Sequence, residues 1–331
     1  MNYIITGAAG HLGSTILRKL QSRNCQVRAL LSRRGKPRIT GENIQYFQGD
    51  VADRESLEPL FRNFAGEDTF VIHTAAVISI QEEITEKMYR TNVLGVRSVI
   101  DACIRYGVRR LVHVSSVHAI PELPQGTVQT EIRDYDPERV TGGYAKTKAL
   151  GARSVMENLD RLDAVITLLS GIIGPYDDGR NHLVQLAKEY LSGGLPAIVD
   201  GGYDFTDVRD VAEGCLSACE KGRRGESYIL SGHYLTIEEV LQEVGAITGK
   251  KKLPKIPLRI ARAGLPFVSM YCRLTGRRPL YTAYSLHTLK SNALFSHEKA
   301  SRELGYRSRD PKETIRDMVD YLRRDTHLVG I

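Results

Sequence analysis

Six short apolar runs fall within the first 170 residues of this chain, and most are separated by stretches with helical spacing of their apolar residues. The runs cover residues 2–6, 26–31, 44–50, 69–76, 110–116 and 164–169. The intervening segment 11–23 places Leu12, Ile16, Leu17 and Leu20 on one helical face. Further helices are expected from residue 53, with Asp53 as N-cap, over 82–106 and near 144–159. Strands that alternate with helices join as parallel strands through helical crossovers. The runs are almost wholly apolar, as a sheet covered on both faces requires. The pattern predicts an α/β fold, a doubly wound parallel sheet that binds ligands at the carboxyl ends of its strands.

The rhythm loosens after Gly174-Pro175. Helices near 181–192 and 208–221 are separated by small strands, and the chain beyond residue 230 reads as mostly helical. This predicts a nucleotide-binding domain over residues 1–175. A smaller, mostly helical substrate-binding subdomain follows over 176–331, with part of 195–230 returning to the sheet.

The first strand runs into TGAAGHLG, with Gly7, Gly10 and Gly13 three residues apart. A strand, a glycine-rich turn and a helix start form an anion site. The first glycine takes the sharp turn, the second admits a phosphate to the backbone, and the third lets helix and strand pack closely. His11 and Leu12 open the helix, whose free N–H groups and dipole face the pyrophosphate of a dinucleotide. An acidic residue ending the second strand would hold a ribose 2′-OH; here Ser32, Arg33 and Arg34 stand there instead. Arginine suits a 2′-phosphate, so NADP(H) is preferred over NAD(H). Asp50 and Val51, ending the third strand, would lie beside the adenine.

The segment YAKTK places Tyr144 and Lys148 four residues apart, on one helical face. A phenol titrates near 10, and a neighbouring ammonium is expected to lower that value. Such a pair exchanges a proton with a carbonyl or alcohol. Ser116, at the carboxyl end of the fifth strand, is placed to hydrogen-bond the substrate oxygen. Strand alternation turns its neighbour Ser115 the other way.

TGAAGHLG, Asp50-Val51, the HTAA of residues 73–76, Asn92 in RTNVLG, VSS and Tyr144-x-x-x-Lys148 together resemble the extended short-chain dehydrogenase/reductase superfamily, with its Rossmann-type sheet. Within it, the chain is most similar to the branch of dihydroflavonol reductase and 3β-hydroxysteroid dehydrogenase. The resemblance implies a catalytic set of Ser116, Tyr144 and Lys148, with Lys148 also on the nicotinamide ribose. It implies that Asn92 kinks its helix and supports a proton relay. Thr74, Ala75 and Ala76 would flank the adenine ribose, and Ser170, Ile172 and Ile173 the nicotinamide. Leu168-Leu169 stand where members often carry Arg-Pro.

These residues predict an NADP(H)-dependent enzyme that interconverts a small-molecule carbonyl and alcohol. One alternative is a nucleotide-sugar epimerase or dehydratase, with Arg209, Arg277 and Arg278 as pyrophosphate ligands. Another is a non-catalytic NADP(H) sensor. His118 and Tyr203 are candidate substrate contacts. Leu265, Phe267, Tyr271, Tyr281 and Tyr284 are expected either to line an apolar pocket or to form the subdomain core. Family members often dimerise through the helices bearing Asn92 and Tyr144; Val93, Val96, Val99 and Ile100 fit such an interface and equally fit packing on the sheet. The net charge of +7 would suit an anionic ligand, and its one dense run is residues 33–38. Five widely spaced cysteines make neither a disulfide framework nor a metal set, and Cys215 and Cys219 are expected in the core. No run approaches the roughly 18 apolar residues of a membrane span, and Met1 leads directly into a strand. The expectation is a cytoplasmic protein with neither nucleic acid nor membrane as partner.

Overall fold

The computed structural model describes residues 1–177, 181–275 and 280–325. Its first half builds β1 (Asn2–Thr6), α1 (His11–Leu20), β2 (Gln26–Ser32), β3 (Ile44–Gly49), α2 (Arg54–Phe61) and β4 (Thr69–His73). Next come α3 (Glu86–Tyr89), a π-turn over Arg90–Leu94, α4 (Gly95–Arg105), β5 (Arg110–Ser116), α5 (Gly143–Met156) and β6 (Ala164–Leu169). The second half adds β7 (Gly171–Ile173), α6 (His182–Leu191), β8 (Ile198–Val199), β9 (Gly202–Asp207), α7 (Val208–Lys221) and β10 (Ser227–Leu230). It closes with β11 (His233–Thr236), α8 (Ile237–Thr248), β12 (Lys255–Ile256), α9 (Leu258–Thr275), α10 (Ala283–Thr288), α11 (Glu298–Leu304) and α12 (Pro311–Asp325).

Seven strands form one parallel sheet in the order β3-β2-β1-β4-β5-β6-β10. The order reverses between β1 and β4, which opens a crevice at their carboxyl ends. Alternation divides each strand between two cores: Ile4 and Val71 enter one, Ile5 and Ile72 the other. Asp53 caps α2 by accepting from Glu55 N.

The helix expected from residue 82 begins at Glu86, where Thr85 accepts from Met88 N, and the π-turn interrupts it. The run through residue 76 leaves the sheet after His73, because Thr74 Oγ1 donates to Thr6 O (2.7 Å) and turns the chain along the crevice. Val93, Val96, Val99 and Ile100 are fully covered within the chain, so they present no exposed apolar face to a second copy. Cys215 and Cys219 are buried, and both are free.

Beyond residue 175 the described chain is mostly helical, as expected, but it also carries two small sheets. β7, β9 and β11 make a second, three-stranded sheet, and β8 pairs with β12. α7 returns to pack on α1, β10 extends the main sheet, and α11 packs on both α7 and β10. The cap is left to α6, α8, α9, α10 and α12 with the small sheets.

Asp207 joins the two parts. Its buried carboxylate caps α7 through Arg209 N (2.7 Å) and accepts again from Arg209 Nη2 (2.7 Å). Arg209 reaches on to Asp317 of α12 (2.6 Å), and Arg309 lies 3.5 Å from Asp207. Burial alone would raise the Asp207 carboxyl; the bonds and charge of Arg209, with the charge of Arg309, outweigh it and hold the group below its ordinary value. Removing one member of a buried ion pair strands the other. Asp207→Ala is therefore expected to cost about 3–5 kcal/mol in urea unfolding, whereas Asp317→Ala, at the more exposed end, costs about 1 kcal/mol or less. Equal losses for the two would contradict this account.

Candidate active site

Gly7 has φ +72°, and a Cβ there would lie 2.6 Å from Thr74 Oγ1 and 2.7 Å from Ala75 N. A Cβ on Gly13 would lie 2.3 Å from Gly7 O. Only glycine lets α1 approach the end of β1 this closely. Gly10 is the N-cap of α1 and supplies no side-chain acceptor, and the first turn holds no acidic residue. The first amides of α1 are thus left for an anion at the positive end of the helix dipole. This cradle fits a dinucleotide pyrophosphate.

A cavity of about 1200 Å³ begins at this loop and crosses the carboxyl ends of the strands. Gly7, Gly10, His11, Leu12 and Gly13 line one end, with Ser32, Arg33, Arg34, Asp50 and Val51 beyond them. Thr74, Ala75, Ala76, Ser170 and Ile172 line the middle. Ile173 does not: the pleat of β7 turns it from Ile172 into the core, which corrects its placement beside a nicotinamide. The His11 ring is also committed, since Nε2 donates to Pro175 O (2.8 Å) and burial lowers its pKa, so the neutral ring ties the loop to the segment after β7. Arg33 is exposed and pairs with Asp53 (3.2 Å). Asp50 accepts from Ala52 N (2.9 Å) and from Arg90 Nη2 (3.2 Å).

Ser116 ends β5, where it accepts from His118 N (3.3 Å) and donates to Leu169 O (3.4 Å), with its hydroxyl near enough to the Tyr144 phenol to act on it. Tyr144 and Lys148 rise from α5 one turn apart, and all three line the cavity. Gly142, at φ +94°, lets α5 start beneath Tyr284, whose ring would stand 2.3 Å from a Cβ. Lys148 Nζ donates to Val114 O (2.7 Å). Burial pushes the lysine down to about 7. Burial pushes Tyr144 up to about 12, opposed by the Ser116 hydroxyl beside it. The expected lowering of Tyr144 by Lys148 is absent, because the ammonium is directed at the main chain of β5 and desolvation of the phenol dominates. Beneath lie His73 and His113, stacked at 5.7 Å and held neutral first by burial and then by the charge of Lys148.

Asn92 sits in the π-turn and does not line the cavity. Its Oδ1 accepts from Val77 N (2.8 Å), and Nδ2 donates to Val77 O (2.9 Å) and Thr147 Oγ1 (3.0 Å). It therefore pins the chain leaving β4 to α5, between Tyr144 and Lys148. Its side chain acts on the site through position.

The far wall is aromatic. His118 Nε2 lies 2.8 Å from Tyr203 Oη, the two rings stack, and the His118 ring stands edge-on to Tyr144 at 6.2 Å. Burial pushes His118 down to about 4, so it is neutral at pH 7. Tyr281 and Tyr284 line this wall, with Leu280, Leu289 and Ile80, which the motifs did not mark. Thr282 Oγ1 donates to Ile80 O (2.6 Å) and brings the two segments together. Phe267 is exposed and belongs to neither pocket nor core; Leu265 is half-buried, outside the lining. The Tyr271 side chain, Arg277 and Arg278 fall outside the described residues. Ser115 also lines the cavity, and its hydroxyl is buried without a partner. Among the described residues no cluster of side chains could hold a metal.

The NAD dependent epimerase/dehydratase family model matches residues 3–231. This chain belongs to that family. It is an NAD(P)-dependent enzyme of the extended short-chain dehydrogenase/reductase type. It is 30% identical over 98% of both chains to sterol demethylase protein B of Methylococcus capsulatus. It is 28% identical to a putative dihydroflavonol 4-reductase of Synechocystis, over 97% of this chain and 94% of that one. The structure of Thermus thermophilus UDP-glucose 4-epimerase complexed with NAD superposes with a TM-score of 0.76 at 25% identity, over 98% of this chain and all of that one.

The buried lysine opposes folding. An unfolded chain keeps the Lys148 proton up to its ordinary 10.5, while the folded chain releases it at about 7. Between these values the unfolded state binds more protons, so stability rises with pH. Lys148→Met removes that dependence. The variant is expected to be the more stable at pH 7, and wild type to gain on it by about 1 kcal/mol per pH unit above that. Parallel pH profiles in urea unfolding would show that Lys148 is not buried as described.

Proposed function

We propose that this enzyme is an NADP(H)-dependent oxidoreductase that interconverts a ketone or aldehyde and an alcohol on a bulky apolar substrate. One observation carries the reading: Ser116, Tyr144 and Lys148 stand where the dinucleotide crevice opens into an aromatic and aliphatic pocket.

Residues 7–13 would hold the pyrophosphate and Lys148 the nicotinamide ribose, while Arg33 and Arg34 would pair with a 2′-phosphate. The bound cofactor supplies the hydride chemistry. Tyr144, neutral in its buried place, donates its proton to the substrate oxygen in reduction and accepts one in oxidation. Ser116 holds that oxygen. Lys148 titrates near neutrality, so a proton can move between it and solvent without a large energetic penalty. His118 and Tyr203 close the substrate side and exclude water. The names of the sterol and dihydroflavonol relatives fit a polycyclic apolar substrate.

The epimerase relative supports a second reading, in which a nucleotide sugar is oxidised and reduced within one turnover. That reading needs cations for a second pyrophosphate. Arg209 is committed to Asp207 and Asp317 and does not line the cavity.

The test mixes the enzyme with NADPH and apolar cyclic ketones and follows loss of the reduced nicotinamide band. Net consumption of NADPH is expected, with kcat lowered about 10²–10⁴-fold by Tyr144→Phe while NADPH binding stays unchanged. Conversion of a nucleotide sugar without net consumption of NADPH would overturn the proposal. Arg33→Ala/Arg34→Ala is expected to weaken NADPH binding by about tenfold or more, leaving NADH little affected. Equal losses for both nucleotides would remove the two arginines from 2′-phosphate recognition.

A further inference from the structure

The helix α9 has an outer face that no described residue covers. No described side chain of its 18 residues is buried, and the space around Gly264 is open for 4 Å. Ile260, Phe267, Met270 and Leu274 are exposed, Phe267 at 79% and Leu274 at 81%. At 3.6 residues per turn these four share an arc of about 80°. Half-buried Leu258, Ala261 and Leu265 lie on the opposite side, and Arg259 borders the exposed arc. An apolar stripe turned fully to solvent marks a surface that meets another apolar phase.

The charge within its own stretch of sequence has one sign. Residues 250–297 hold ten of the 46 Lys and Arg and none of the 39 Asp and Glu, so the rest of the chain is net acidic. Lys255 and Lys290 are paired with Glu238 and Asp200 from outside this segment, while Arg259 and Arg262 are exposed. An apolar stripe bordered by cations, on a helix without a carboxylate, is the composition that settles at an anionic lipid surface.

We propose that α9 is a membrane-docking helix, lying in the plane of an anionic bilayer with Ile260, Phe267, Met270 and Leu274 in the acyl boundary. The site fits this placement. α10 packs on α9 and carries Tyr284, Ser285 and Thr288 of the pocket wall. Docking through α9 sets the apolar end of the cavity close to the lipid, from which a water-insoluble substrate enters without crossing solvent. No described helix is long and apolar enough to cross a membrane. That fact underlay the expectation of no membrane partner, and it does not bear on a helix lying in the interface. The inference stands on the surface of α9 alone and is independent of the reaction proposed above.

Co-sedimentation with vesicles tests it. The full chain is expected to pellet with vesicles of equal parts phosphatidylglycerol and phosphatidylcholine, and about tenfold less with phosphatidylcholine alone. Phe267→Glu/Leu274→Glu should lower the anionic-vesicle affinity by about tenfold or more. Arg259→Glu/Arg262→Glu should remove the preference for anionic lipid. All these side chains are exposed, so unchanged thermal unfolding and NADPH binding confirm that the variants are folded. Failure of the wild type to bind either vesicle, or equal binding by wild type and Phe267→Glu/Leu274→Glu, overturns the proposal. So does a wild-type dimer in analytical ultracentrifugation that the same two substitutions convert to monomer, since a second copy then covers α9.

Discussion

The contact between Gly13 and the carbonyl of Gly7 sets the geometry of everything that follows. With no Cβ on Gly13, α1 lies against the end of β1, and its first amides face the crevice instead of the core. The same turn leaves Gly7 in the left-handed region against Thr74 and Ala75, which fixes where the chain leaves β4. That exit runs along the crevice to Val77, where Asn92 takes hold of it from both sides and carries the constraint to Thr147 on α5. One close approach of backbone to backbone thus propagates from the phosphate loop to the helix bearing Tyr144 and Lys148, through three hydrogen bonds and no charge.

Electrostatics at the far end of that chain works against stability. A lysine, a tyrosine and three histidines lie buried around one short stretch of β5 and α5, without a carboxylate among the groups that shift them. Desolvation is the largest cause in each case, so the histidines are neutral, the phenol keeps its proton and only the lysine titrates near pH 7. Five groups that are each costly to charge form a site in which moving one proton is the lowest-energy change available. That is the environment proton transfer to a bound carbonyl needs, and it explains why the folded chain tolerates a buried lysine at all.

The main sheet and the phosphate loop were legible in the sequence because their signals are local. Strand and helix periods, three glycines and a Tyr–Lys spacing are all read within a few residues. The second sheet was not, for a physical reason. β9 reads GYDFTD, with polar residues at positions that prove fully covered: Asp204 accepts from Gly232 N (2.7 Å), and Thr206 meets the hydroxyl of Tyr306 (2.8 Å). Partners 28 and 100 residues away make those positions compatible with a strand, and no window of sequence contains them. The apolar wall fails in the same way, since Ile80 and Leu289 line one cavity although they are far apart in the chain, and Thr282 reaches across to Ile80 O. The Ser115–Ser116 pair shows a subtler limit. Alternation chose Ser116 as the residue beside Tyr144, but β5 ends there, so both hydroxyl-bearing residues reach the cavity.

Burial explains Phe267 differently from Tyr281 and Tyr284, although all three looked alike as aromatic residues of an apolar segment. Tyr281 and Tyr284 lie around the start of α10, anchored on Thr282 and its bond to the loop after β4, so the crevice itself decides their direction. Phe267 is in the middle of α9, which packs on α10 and leaves its own outer arc free. In water an apolar stripe of this size is a liability, and it is concentrated on one helix instead of being dispersed over the cap. It also coincides with the stretch from which every carboxylate is missing. Solubility alone would favour acidic residues there, as in the rest of the chain. The proposed docking at a negatively charged lipid interface accounts for a surface that is at once apolar, cationic and next to the wall of the active-site cavity.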